Sequence, residues 1–171
     1  MTFHDKTLVY SERKEHNIML KYKRVVFVCE SGNCKSLLAA AIFNRDIPDK
    51  SIQAEARGLV VLFPEPGNAK AVAIAKSQGI DLENFRSRQL ENDDFGDDVL
   101  ALVMSEKMKA AIYNDYKSAV NVYTMKEFTE EAGDIGDPYG GELQEYGEFF
   151  ENLEENIKKV IDKILKEEAA Q

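Results

Sequence analysis

Residues 24–36 read Arg24-Val25-Val26-Phe27-Val28-Cys29-Glu30-Ser31-Gly32-Asn33-Cys34-Lys35-Ser36. Arg24 to Cys29 is a β-branched and aromatic run and reads as a buried strand. Glu30-Ser31-Gly32-Asn33 is a turn-forming cluster. Cys34 to Asn44 then reads as a helix with Leu37, Leu38, Ala41 and Ile42 as its apolar stripe. A strand that hands over to a helix across a short loop opens a parallel α/β sheet. Such sheets bind ligands beyond the carboxyl ends of their strands, so Cys29 to Ser36 is the first candidate site.

The pattern continues outward from this unit. Ile52 to Ala56 is a second, weaker strand. Pro64-Glu65-Pro66-Gly67 marks a loop, and Asn68 is placed to cap a helix running to about Gln78, with Gly79 behind it. Val99 to Met104 is the clearest central strand, Ser105 to Asp115 a helix, and Ala119 to Thr124 a fourth strand. After the Gly-, Asp- and Pro-rich loop Gly133 to Gly141, a long amphipathic helix spans about Glu142 to Glu168. Its apolar face is Phe149, Leu153, Ile157, Val160, Ile161, Ile164 and Leu165. The tail before Arg24 fits a short helix capped by Ser11, an added edge strand, or disorder. The expected fold is α/β, with four strands in a parallel sheet joined by right-handed crossovers.

Composition narrows the function classes. The chain has 171 residues, enough for about one domain. With 22 basic and 31 acidic residues its net charge is -9, which argues against nucleic acid or an anionic membrane as partner. No apolar run approaches the roughly 18 residues that a membrane span needs. Met1 to Arg24 scatters charge without a central apolar region, unlike a secretory signal. The two cysteines, Cys29 and Cys34, suit a reducing cytoplasm. With only His4 and His16 beside them, they are too few for a structural zinc site.

The chemistry concentrates at Cys29. Loop N–H groups that converge on one centre form an anion cradle together with the positive end of the following helix. Such a cradle favours thiolate over thiol at Cys29 and holds a tetrahedral oxyanion over the sulfur. Lys35 adds a cation, Ser36 a hydroxyl that can donate to the thiolate, and Gly32 the freedom to adopt positive φ.

These residues resemble the phosphate loop of the low-molecular-weight protein tyrosine phosphatase family, in its bacterial form. Further segments follow in the family's order: Ala56-Arg57-Gly58-Leu59, then Gly79-Ile80-Asp81-Leu82, then Arg86-Ser87-Arg88-Gln89-Leu90, then Asp98 to Met104. Asp137-Pro138-Tyr139-Gly140-Gly141 resembles its Asp-Pro loop. The resemblance covers about Arg24 to Leu165, so residues 23–171 are expected to form the phosphatase-like domain and residues 1–22 an N-terminal extension, and it implies a three-layer sandwich around a four-stranded parallel sheet in the order 2-1-3-4. It implies a two-step phosphomonoesterase. Cys29 attacks phosphorus, a cysteinyl-phosphate forms, and Asp137 first protonates the leaving group and then serves as base for water. Glu30, Ser31, Gly32, Asn33, Cys34 and Ser36 line the phosphate cradle, Lys35 holds charge there, and Tyr139 walls the pocket. No metal or other cofactor is implied. The implied partner is a phosphorylated protein or a small phosphomonoester, phosphotyrosine first, in the cytoplasm.

The sequence departs from the family pattern in ways that bear on mechanism. Lys35 stands where the family has arginine, a point charge in place of a planar fork. Loss of one well-placed oxyanion donor costs on the order of 10²–10³ in rate, so a weak phosphatase or a phosphate-binding pseudoenzyme is an alternative. Gly32 stands where the family has asparagine, and Ala56 where it has that asparagine's serine partner. Removing both members of a hydrogen bond costs far less than removing one. Neighbouring Arg57 is expected either to reach the cradle and stand in for the missing arginine or to lie exposed on the surface. Glu30 and Asn33 give the mouth polar character, and the related arginine phosphatases carry a polar residue at the position of Asn33. Phosphoarginine is therefore a second candidate substrate. Cys34 either protects Cys29 through a reversible disulfide or is a buried helix residue. The absence of a third cysteine disfavours a thioredoxin-coupled arsenate reductase.

Overall fold

The computed structural model describes residues 21–169. Ser11, His4, His16 and all of the expected extension except Lys21 and Tyr22 lie outside that range. The elements are β1 (Arg24–Cys29), α1 (Lys35–Asp46), β2 (Gln53–Gly58), α2 (Ala69–Ser77), β3 (Val99–Val103), α3 (Glu106–Asp115), β4 (Val122–Thr124), α4 (Met125–Phe128) and α5 (Leu143–Ala169). A 3-10 turn at Asn92–Asp94 precedes β3.

The four strands form one parallel sheet in the order β2-β1-β3-β4, as expected. Arg24 to Cys29 pair with Gln53 to Gly58 on one side, and Arg24 to Val28 with Val99 to Val103 on the other. β1 is thus central and buried almost throughout, which is why it reads as a continuous apolar run. Alternation sends Val25, Phe27 and Cys29 to the face covered by α1, α2 and α5. Val26 and Val28 face the opposite layer with Ile112 of α3.

Boundaries and stripes differ from the sequence reading in a few places. β2 begins at Gln53 and runs on through Arg57 to Gly58. β4 is only Val122–Thr124, and the chain turns directly into α4, whose Thr124 cap accepts from the Glu127 N–H. In α1, Ser36, Ala39, Ala40 and Phe43 are buried besides Leu37, Leu38 and Ile42, while Ala41 is half-buried. This helix is enclosed by the sheet and α5, so burial extends well beyond one stripe. In α5, Tyr146 and Phe150 continue the buried stripe of Leu153, Ile157, Val160 and Ile164, and Phe149 is half-buried beside it. Spacings of three and four residues place 146, 150, 153 and 157 on one line, which 149 only flanks.

Candidate active site

The loop between β1 and α1 folds back over the end of its own strand. Cys29 is its buried first residue, 2% exposed. The Gly32 N–H donates to Cys29 Sγ at 3.2 Å, and Ser36 Oγ lies 3.0 Å from the same sulfur. Two polar groups from the loop and the first turn of α1 thus converge on one thiol. Gly32 has φ +72°, the left-handed conformation in which a side chain is strained. A Cβ there would also lie 2.7 Å from Gly58 N and 2.9 Å from Arg57 C. Gly32 and the end of β2 are therefore in direct backbone contact.

The rim is held by backbone bonds. Cys29 and Glu30 carbonyls accept from Leu59 and Val60 N–H groups at 3.0 Å each, and the Asn33 carbonyl accepts from Asn68 N–H at 2.8 Å. The loop 59–68 is thus fastened at both ends to the candidate phosphate loop. Ser87 and Gln89 secure its middle: Ser87 Oγ accepts from Glu65 N–H at 2.9 Å, and Gln89 bonds both Val61 N–H and the Leu59 carbonyl at 2.7 Å. Val60, Leu62 and Phe63 on this loop are exposed, Leu62 by 87%. Glu30 and Ser31 are exposed too, and Ser31 Oγ donates to Asn33 Oδ1 at 2.7 Å.

The Asp-Pro loop reaches the same place from the carboxyl end of β3, the parallel neighbour of β1. Its Ile135 N–H donates to the Met104 carbonyl at the end of β3 at 3.0 Å. Asp137 is exposed, Pro138 buried, and Tyr139 exposed. Asp137 Oδ1 accepts the Tyr139 N–H at 3.0 Å, and Oδ2 lies 3.5 Å from Lys35 Nζ. The cation of the candidate phosphate loop and the acid of the second loop are therefore an ion pair. Lys70 Nζ donates to the Gly141 carbonyl and tethers the end of this loop to α2. Asn68 caps α2 by accepting from Lys70 and Ala71 N–H groups, and its Nδ2 donates to Tyr146 OH at 3.4 Å.

Cys34 is half-buried at the start of α1 and its thiol is free, as is that of Cys29. Burial, with Cys29 and Asp137 adding to it, pushes the Cys34 thiol up to about 12. Among the described residues no group of three His, Cys, Asp or Glu is gathered that could hold a metal ion.

Arg57 fits neither sequence expectation. It is neither at the cradle nor on the surface. Val28 pairs with Arg57 and Cys29 with Gly58, so alternation turns the Arg57 side chain to the face opposite the sulfur. There it is 5% exposed, with Nε 3.2 Å from both carboxylate oxygens of Asp94. Residues that sequence reasoning did not assign to the site are Gly58, Ser87, Gln89 and Lys70. Gly58, Ser87 and Gln89 lie in segments that carried the family resemblance. Lys70 had no local signal.

The profile of the family described as "Low molecular weight phosphotyrosine protein phosphatase" matches residues 24–170. The chain is similar to the low molecular weight protein-tyrosine-phosphatase PtpB of Staphylococcus aureus, 30% identical over 139 residues, covering 81% of this chain and 97% of that protein. It is also similar to a protein-arginine-phosphatase of Geobacillus stearothermophilus, 28% identical over 148 residues, covering 85% and 98%. The crystal structure of a low molecular weight protein tyrosine phosphatase from T. tengcongensis superposes with a TM-score of 0.75 at 34% identity, covering 82% of this chain and 98% of the other. With a matched profile from the first residue of β1 into the end of α5, the chain belongs to the low molecular weight phosphotyrosine protein phosphatase family.

Proposed function

We propose that this protein hydrolyses phosphorylated protein side chains, phosphotyrosine first, through a cysteinyl-phosphate. The observation that carries the reading is the buried Cys29 sulfur, with the Gly32 N–H and the Ser36 hydroxyl both within 3.2 Å of it. In the first step a phosphorus–sulfur bond to Cys29 forms as the phosphorus–oxygen ester bond breaks, and Asp137 gives its proton to the departing oxygen. In the second, Asp137 takes a proton from water, water attacks phosphorus, and the thiolate leaves with help from Ser36. Lys35 and the loop Glu30, Ser31, Gly32, Asn33 and Cys34 hold the phosphoryl oxygens, and Tyr139 borders the leaving group. Residues 23–171 form the catalytic unit and residues 1–22 an extension. No described helix is long and apolar enough to cross a membrane, and two reduced thiols suit the cytoplasm.

The Lys35–Asp137 pair gives the arginine replacement a specific consequence. The cation is already engaged by the acid at 3.5 Å, so a bound phosphate would have to share it with Asp137. A second reading, phosphoarginine as substrate, is favoured by the exposed Glu30 carboxylate and the Asn33 amide at the cradle mouth. Exposed Val60, Leu62 and Phe63 on the adjoining loop favour an apolar leaving group and tyrosine.

The test is hydrolysis of p-nitrophenyl phosphate by wild type, Cys29→Ser and Lys35→Arg in reductant at mildly acidic pH, then phosphotyrosyl against phosphoarginyl peptides. The reading expects an active wild type, a silent Cys29→Ser and higher kcat/KM on phosphotyrosine. Higher kcat/KM on phosphoarginine selects the second reading. A silent wild type that Lys35→Arg awakens identifies a phosphate-binding module on a phosphatase scaffold.

A further inference from the structure

We propose that Arg57 is a positioning residue for the phosphate loop: from the far side of the sheet it sets the peptide on which Gly32 rests. The inference rests on Cys29 being the nucleophile of this chain. Nothing but backbone separates Gly32 from β2. A Cβ on Gly32 would lie 2.7 Å from Gly58 N and 2.9 Å from Arg57 C, and a Cβ on Gly58 would lie 2.7 Å from Ser31 C and O. The Arg57–Gly58 peptide is therefore the floor of the loop, and a shift of that floor moves the Gly32 N–H relative to the Cys29 sulfur, 3.2 Å away.

The floor is gripped from both of its residues by one segment, 88–94. The Gly58 N–H donates to the Arg88 carbonyl and the Gly58 carbonyl accepts from Leu90 N–H, each at 2.9 Å. Arg57 Nε reaches both oxygens of Asp94, its Nη1 donates to the Ala56 carbonyl at 2.8 Å, and its Nη2 pairs with Glu55. Asp94 is held in turn by Arg24 and by the Glu91 N–H at 2.9 Å. Two arginines and two carboxylates thus lock the last turn of an edge strand, at the one point where the catalytic loop leans on it. Stability alone is a poor account of such a network, because apolar residues of similar volume replace buried ion pairs at little or no cost. Position is the better account. Gly32 itself carries no side chain and rests on this peptide, and misplacement of a reacting group by about 1 Å costs on the order of 10²-fold in rate.

The test compares Arg57→Met and Asp94→Asn with wild type in three readouts: the Gly32 amide resonance in an ¹⁵N-labelled sample, inhibition by inorganic vanadate, and kcat/KM on p-nitrophenyl phosphate per folded molecule. The proposal expects the Gly32 resonance to move, vanadate affinity to weaken, and kcat/KM to fall about tenfold or more, with thermal melts still showing a folded protein at the assay temperature. An unmoved Gly32 resonance, or unchanged kcat/KM, together with a lower melting temperature would reduce Arg57 to a structural residue and overturn it. Should Arg57→Met not fold, Asp94→Asn carries the test alone. Should wild type hydrolyse nothing, the phosphatase reading fails, while the Gly32 resonance still decides whether Arg57 sets the loop.

Discussion

Two cysteines five residues apart in sequence meet opposite surroundings. Cys29 ends a buried strand with two polar groups against its sulfur. Cys34 starts a helix, and burial lifts its thiol to about 12 from an ordinary 9.0. The sign of the pH effect follows. In the native state Cys34 stays neutral through pH 9, whereas in the unfolded chain it ionises there and releases its proton. Its contribution to stability is present below pH 9 and is lost as pH rises from there toward about 12. Urea midpoints of wild type and Cys34→Ala between pH 8 and 11 should therefore converge at the alkaline end. Curves that stay parallel would show that Cys34 has no part in the alkaline loss.

At the scale of elements, α2 joins both halves of the site. Its cap residue Asn68 accepts two helix N–H groups with its side chain, donates to Tyr146 of α5 through Nδ2, and donates to the Asn33 carbonyl through its backbone. Two residues on, Lys70 holds the end of the Asp-Pro loop. Asn68→Ala removes the cap but keeps the backbone bond. A loss of about 1 kcal/mol in denaturant unfolding is expected from the cap. Because Lys70 then loses its fixed starting point, kcat on p-nitrophenyl phosphate should fall more than KM rises. Loss of stability with unchanged kcat would show that the α2 terminus does not position the Asp137 loop. The sequence marked Asn68 as a cap from its place before an apolar run. Its bonds to α5 and to the phosphate loop connect residues 78 and 35 positions away, and no local pattern encodes them.

At the scale of the whole molecule, five of the seven large exposed apolar side chains among the described residues lie on the two site loops or next to them, Tyr113 and Val120 being the other two. The five are Val60, Leu62 and Phe63 on the loop fastened to the cradle, and Tyr139 and Leu143 at the Asp-Pro loop. On the proposed reading, these side chains would meet the residues that flank a phosphorylated side chain in a protein substrate. Leu62→Ser with Phe63→Ser should lower kcat/KM on a phosphotyrosyl peptide with apolar flanks several-fold, through desolvation lost at the rim. p-Nitrophenyl phosphate, which has no flanks, should be turned over as before. Equal losses on both would place these side chains inside the pocket instead.

The strands, the helix that follows Cys29 and the parallel character of the sheet were legible in the sequence, because each depends on a local apolar period and on short connections, whereas the strand order was implied by the family resemblance. So were the loop that carries the thiol and the Asp-Pro turn that faces it, since both are contiguous motifs. What only the tertiary structure decided are relations between distant residues. Arg57 reads either as a stand-in at the cradle or as an exposed surface residue, yet strand alternation sends it to the face opposite the sulfur, where it is buried against Asp94. Gly32 reads as a glycine free to adopt positive φ, yet its closest constraint is Gly58 across the β1–β2 ladder. Lys35 and Asp137 are separated by most of the chain, and only the convergence of two loops at the strand ends makes them a pair. Local periodicity selects elements, but the contacts that tune a site depend on register and on which loops share an edge. Those are properties of the assembled sheet.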